Sequence, residues 1–325
     1  MSNSIELTIP VIQEIKSAAN NIKNIAFRTP LYRSERLSRR FDANIFLKLE
    51  CYQPTRAFKI RGAANKILSL SKAERNHGVV AASSGNHGLA VAYIANLLGI
   101  KATVVVPKSA VREKVEAIKE QGATVVEFGR SHPDRFQHAL DIQKNEGAAL
   151  VHPFDDPRVI AGQGTIGLEI LEDLPDVDTV IVPVGGGGLI SGVSLAVKDE
   201  RSGARIYGVQ SDQAASMYQS LKTGKPTMLN DTHTIADGLA PGQPGELTFR
   251  ITKENVDSIL LTSEESIRTA TRSALESLHL MIEPSAATAI AVLGETYKPR
   301  KGENLVLIIS GGNISMKLLH ELLNS

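Results

Sequence analysis

An α/β fold with largely parallel sheets is what this sequence predicts, on two observations. Short β-branched runs alternate with longer stretches of helical period along most of the chain, and polar or glycine-rich turns lie where a run passes into a helical stretch. The first strand is expected at NIFLKL (44–49). GVVAA (78–82), ATVVV (102–106), TVVEF (124–128) and ALVH (149–152) follow in tight alternation with helical segments, and TVIVPV (179–184), RIYGV (205–209) and NLVLII (304–309) complete the series. Helices are expected at 11–24, 59–70, 87–98, 112–121, 134–145, 160–173, 189–197, 264–277 and 285–295.

The compact units from about Gly78 to Val151 could close as a small four-stranded sheet of their own. The expected division is therefore a small domain at 77–152, with 1–76 and 153–325 forming the larger one. The length of 325 residues and the 42% hydrophobic content are enough for two cores. In open parallel sheets ligands collect beyond the carboxyl ends of the strands, so the turns there are where chemistry is expected. Three segments qualify: SSGNHG at 83–88, GGGGLISG at 185–192 and SGGN at 310–313.

Charge and composition narrow the partners. Lys and Arg total 36 against 35 Asp and Glu, so no global field draws in nucleic acid or an anionic membrane. The single cysteine, Cys51, excludes an internal disulfide and fits a reducing compartment. With no run of about 18 apolar residues and no apolar leader, neither a membrane span nor a signal peptide is indicated, and the cytoplasm is the expected location. The eight histidines are scattered without i, i+4 pairing on a credible helix, which gives no zinc spacing.

Gly185, Gly186, Gly187 and Gly188 follow an apolar strand and open a helical stretch through Leu189. Glycine lets backbone amides surround an anion, and a helix start adds unpaired donors, so a phosphate site is the natural reading beside that of a tight turn. Neither the GxxxxGK[ST] nor the GxGxxG pattern fits, which leaves the phosphate of a smaller cofactor. Lys59, between Phe58 and Ile60, could lose charge stabilisation and act as a neutral amine; the alternative is a snorkelling surface lysine. Ser83, Ser84, Gly85, Asn86 and His87 suit a substrate carboxylate, or else Ser84 or Asn86 caps the helix that follows. After the last strand, Ser310 would face the switch region, with Gly311 and Gly312 leaving room for a flat ligand.

AFKIRGA, SSGNHG, GQGTIGLE (162–169), VPVGGGGLISG and ISGGN, in this order and spacing, resemble the fold-type II (tryptophan synthase β-like) pyridoxal-phosphate enzymes, above all the serine/threonine dehydratases and serine racemases. The resemblance spans about Thr29 to about Asn313. It implies two parallel-sheet domains with pyridoxal 5′-phosphate between them and Lys59 joined to the cofactor aldehyde. Phe58 would support the ring, Asn86 would meet the ring hydroxyl, Ser310 would face the pyridine nitrogen, and Gly185 to Leu189 would hold the phosphate. The substrate carboxylate would lie among Ser83, Ser84, Gly85, Asn86 and His87. The activity implied is removal of water and ammonia from L-threonine or L-serine. A serine racemase, a 3-hydroxyaspartate dehydratase and a non-catalytic binder are the alternatives. Ser84 matches the serine that acts opposite the lysine in the racemases, and a homodimer is the family's usual state.

Departures from the pattern are equally specific. The family string T-G-S-F-K reads Thr55-Arg56-Ala57-Phe58-Lys59 here, which puts the substrate contacts nearby in question. Gln210, Ala214 and Ser216 stand where serine racemases place a glutamate, a carbonyl and an aspartate around a divalent cation, so no family-type magnesium or calcium site is expected. Only about a dozen residues follow SGGN, so an appended regulatory domain is not expected.

Overall fold

The computed structural model describes residues 8–129 and 132–324. It holds two sheets. The larger takes the order β1-β2-β10-β7-β8-β9, from β1 (Leu31–Arg33), β2 (Asn44–Leu49), β7 (Thr179–Pro183), β8 (Arg205–Ser211), β9 (Ser258–Thr262) and β10 (Asn304–Ile309). Only β1 runs antiparallel to its neighbour. The smaller sheet is wholly parallel, β5-β4-β3-β6, from β3 (Val79–Ala82), β4 (Ala102–Val106), β5 (Thr124–Glu127) and β6 (Ala149–Leu150). Every residue of β3 and β7 is buried, because helices cover both faces of a central parallel strand and alternation is lost.

All eight expected strands form. Two more, β1 and β9, sit at the edges of the large sheet; four further helices fill connections, Glu35–Phe41, Lys72–Asn76, Ser216–Thr223 and Glu246–Asn255, and a fifth, Met316–Leu323, follows β10. The expected strand at 149–152 stops at Leu150. Beyond it the His152 ring turns to accept the amides of Phe154 and Asp155, which bends the chain toward the cleft. The expected helix at 160–173 starts earlier, at Pro157, because the Asp156 side chain accepts the amides of Arg158 and Val159 while proline occupies the first turn.

Two apolar cores flank the large sheet. One packs Ile45, Leu47, Leu305 and Leu307 against the alanine-rich helix Pro284–Ala291; the other packs Val180, Val182, Val306 and Ile308 against Ile166, Ile170 and Ile190. A third core under the small sheet gathers Val79, Ala81, Val104 and Val106. It also takes in Ile60, Ala63, Ala64 and Ile67 from the helix Lys59–Leu68. Lys59 thus opens a helix whose apolar face is buried under one sheet while its N-terminal end adjoins the other.

Candidate active site

The carboxyl ends of β3, β7 and β10 converge on one cavity of about 280 Å³. Phe58, Lys59, Ser83, Ser84, Gly85, Asn86, His87, Gly185, Gly186, Gly187, Gly188, Leu189 and Ser310 all line it, from four separate stretches of chain.

Lys59 is half-buried, and its Nζ donates to the Pro153 carbonyl at 2.7 Å, 5.1 Å from the Phe58 ring centre. Burial draws its pKa down to about 8, against the opposing pull of Glu283. A substantial neutral fraction near neutrality is what a nucleophilic or basic amine needs. The helix that begins at Lys59 is anchored two residues on. Arg61, fully enclosed, donates to both oxygens of Glu50 at 2.8 Å and to both of Glu169 at 2.6 and 2.9 Å. Burial raises the Glu50 carboxyl, but Arg61 outweighs it and holds the group below the usual range. Removing one partner from such a buried pair costs about 3–5 kcal/mol, so the helix start is firmly placed.

The glycine loop owes its shape to close packing. Gly187 takes a left-handed φ of 97° and is the N-cap of the helix Gly188–Glu200. A Cβ on Gly186 would fall 2.3 Å from the Phe154 ring. Among the described residues, no hydrogen bond takes its donor from the backbone amides of Gly185 to Leu189. A row of unused N–H groups at a helix start, on the wall of a cavity, is an anion-binding cradle.

At the end of β3, Gly85 is the N-cap of the helix Asn86–Leu97, and no side chain caps it; Ser83 Oγ instead accepts the Gly85 amide at 3.3 Å. The capping alternative for Ser84 or Asn86 therefore does not materialise. The buried His87 ring has its Nε2 2.8 Å from the Val151 carbonyl, and burial, with Lys59 pushing the same way, draws its pKa down to about 3. Toward a substrate anion it offers a backbone amide and no positive charge. Asn86 donates through Nδ2 to Glu283 at 2.7 Å, and its Oδ1 accepts from Asn313 at 2.8 Å.

The structure corrects the expectation that Gly311 and Gly312 leave room for a ligand. A Cβ on Gly311 would meet the Glu283 carboxylate at 2.4 Å, and one on Gly312 the Met281 carbonyl at 2.8 Å, so protein fills both spaces. The departures at Arg56 and Ala57 lie off the cavity wall. Arg56 is exposed in a left-handed conformation, φ 59°, and Ala57 is buried in a bridge to Gly311. Gln210, where the resemblance to serine racemases suggested a glutamate, is engaged on both sides, donating to the Val184 carbonyl at 3.2 Å and accepting the Tyr218 amide at 3.0 Å. No group of three or more histidine, cysteine, aspartate or glutamate residues that could hold a metal occurs among the described residues.

Several cavity residues carry no local motif. Glu283 is buried, and burial raises its pKa to about 7, with Asp237 pushing the same way. Lys114, on the helix Arg112–Glu120, forms an ion pair across the cleft with Asp237. Arg135 lines the cavity with its Nε buried and without a hydrogen-bond partner among the described residues, and burial lowers its pKa.

An amine eased toward neutrality, in one cavity with a cradle of free amides, Phe58 and Ser310, defines an enzyme that works through a phosphorylated aldehyde. The residues present fit that group. The chain belongs to the pyridoxal-phosphate dependent enzymes, whose family model matches residues 22–311, and pyridoxal phosphate is its cofactor. It is 44% identical to an L-threonine ammonia-lyase of Thermotoga maritima, over 96% of this chain and 78% of that protein. It is 42% identical to the L-threonine dehydratase catabolic TdcB of Escherichia coli K12, over 98% of each. Among solved structures, maize serine racemase superposes with a TM-score of 0.93 at 37% identity, covering 98% of each chain. A threonine deaminase from T.th. gives 0.89 at 38% identity, covering 94% of this chain and 99% of the other.

Proposed function

We propose that this enzyme is an L-threonine ammonia-lyase that also accepts L-serine: water is eliminated to leave an enamine, whose hydrolysis takes up water again and releases ammonia, so that the net products are ammonia and 2-oxobutanoate or pyruvate. The observation that carries the reading is the convergence of Lys59, the amides of 185–189, Asn86 and Ser310 on one cavity. It is supported by relatives named as threonine ammonia-lyases and dehydratases at 41–44% identity.

When bound, pyridoxal phosphate supplies an aldehyde for amines to join and a ring that draws electrons from the substrate's α-carbon. The amides of Gly185 to Leu189 would hold its phosphate, Phe58 its ring, Asn86 its ring hydroxyl, and Ser310 its pyridine nitrogen. Ser310 is neutral and stabilises a protonated nitrogen less than a carboxylate would, which favours prompt loss of the β-substituent over transamination. The amides and hydroxyls of 83–87 orient the substrate carboxylate. Lys59, once freed, takes the α-proton on Nζ as a neutral amine. We further propose that residues 77–152 act as a small domain closing on the rest to exclude water, and that the chain works as a cytoplasmic homodimer. Exposed Tyr52, Met281 and Met316 supply apolar surface for such a contact.

The purified protein should carry a visible cofactor band, fixed by borohydride, and release ammonia from L-threonine. Lys59→Ala should lower turnover by at least about 100-fold, the scale of a lost general base. Undiminished turnover in that variant refutes the reading.

The unpartnered Nε of Arg135 favours a second reading, a 3-hydroxyaspartate dehydratase whose substrate brings a second carboxylate. In that case Arg135→Leu lowers kcat/KM for 3-hydroxyaspartate by about 10- to 100-fold, the worth of a charged hydrogen bond, and leaves L-threonine nearly untouched. Equal losses on both substrates dismiss it.

A further inference from the structure

We propose that Asn313 and Glu283 are positioning residues that lock the Asn86 carboxamide in one of its two orientations, so that an N–H and not a carbonyl oxygen points at the cofactor. The inference rests on the reading that Asn86 meets the ring oxygen, and extends it to the two side chains that bond the Asn86 carboxamide, Asn313 and the cavity-lining Glu283.

A carboxamide can turn over with almost no change in shape, so its donor and acceptor ends are settled by their partners. Here the assignment starts from a group that cannot donate. The backbone carbonyl of Thr55 accepts from Asn313 Nδ2 at 2.9 Å, which fixes the amino end of Asn313 toward it. The same Nδ2 reaches Asn86 Oδ1 at 2.8 Å, so Asn86 must present its oxygen on that side. The amino end of Asn86 then faces Glu283 Oε1 at 2.7 Å. One N–H of Asn86 remains, on a residue that lines the cavity. Glu283 is itself held, its amide donating to the Gly311 carbonyl at 3.1 Å and its carboxylate filling the space a Cβ of Gly311 would need. Every partner in the chain Thr55, Asn313, Asn86, Glu283 is buried or half-buried, where an unmatched donor or acceptor costs about 1–3 kcal/mol.

The consequence for the cofactor is electronic. A ring oxygen that accepts an N–H is stabilised as the anion, the form that absorbs in the visible; one that faces Oδ1 must keep its proton, and its band moves to the near-ultraviolet. Asn313→Asp replaces a donor by an acceptor and should turn Asn86 over. The ratio of visible to near-ultraviolet absorbance of the loaded protein is then expected to fall by about tenfold, the worth of one hydrogen bond to a charged oxygen. Glu283→Met should produce a partial fall, and Glu283→Gln, which keeps an acceptor, should restore most of the parent spectrum. That rescue distinguishes positioning from a merely structural role and remains available if the Asn313 variant does not fold.

Asn86→Ala is the control. If it shifts the band while Asn313→Asp and Glu283→Met leave it unchanged, the lock is overturned and the place of Asn86 at the ring stands. If Asn86→Ala also leaves the band unchanged, both fall.

Discussion

Lys59 is lowered by burial to about 8 while Glu283, in the same cavity, is raised by burial to about 7, and the two act on each other. The neutral amine of Lys59 is the form that attacks an aldehyde, and below its pKa that form's share grows by about tenfold for each pH unit of rise. Reconstitution of the cofactor-free protein should therefore quicken as pH rises and level off above about 8. Ionisation of Glu283 on the way favours the protonated amine and makes the climb shallower. Stopped-flow absorbance across pH 6 to 9 measures this, and a flat profile would contradict the assignment. Lys59 was legible in the sequence only through its neighbours in AFKIRGA and the segments in register with it, since the cavity around it is built from distant stretches of chain, and its amine bonds the Pro153 carbonyl 94 positions away. Glu283, Lys114, Asp237 and Arg135 were not legible, because each is a single charged residue with no motif and owes its place to tertiary folding.

At the level of elements, the glycine loop was the clearest signal, and the structure adds what lies behind it. Phe154 presses on Gly186 while Thr248 Oγ1 donates to the Gly186 carbonyl at 2.7 Å, so the loop is held from both sides. Gly186→Ala must displace the Phe154 ring, and cofactor affinity should drop by about 10-fold or more, within the 1–3 kcal/mol range of overpacking. Titrating pyridoxal phosphate into the apoprotein reads this directly; an unchanged affinity would mean that the loop adapts. The strands missed in the sequence, β1 and β9, lie at the edges of the large sheet, where half-exposure blurs the apolar pattern, and β1 is only three residues long. Of the missed helices, Lys72–Asn76 carried a legible start. Ser71 and Glu74 form a capping box, but the helix buries no residue, so no apolar period marks it. The interior strands were legible because burial on both faces demands unbroken β-branched runs.

On the scale of the whole molecule, the cavity lies between a sheet that carries the glycine loop and a sheet that carries Ser83 to His87, and side chains tie the two across it. The Lys114–Asp237 pair is partly exposed, so its contribution to stability is only about 0–1 kcal/mol. Its position at the cleft matters more than its strength. Lys114→Gln should leave the melting temperature nearly unchanged and raise KM for the amino-acid substrate by up to about fivefold, with less dependence on salt than the parent. Steady-state kinetics at low and high ionic strength test this, and an unaltered KM would deny the pair any part in closure. The two-sheet plan was visible in the spacing of the strands. The sharing of the small sheet's core with the helix Lys59–Leu68 was not, because it depends on packing between segments far apart in sequence.

The carboxylate of Glu283 occupies the volume that any side chain at position 311 would require. Neither site can drift alone: a methyl group at 311 demands a shorter residue at 283, and a shorter residue at 283 strands the carboxamide that leans on it. Across the lineage these two positions should covary, with glycine at the one wherever the other keeps its acid.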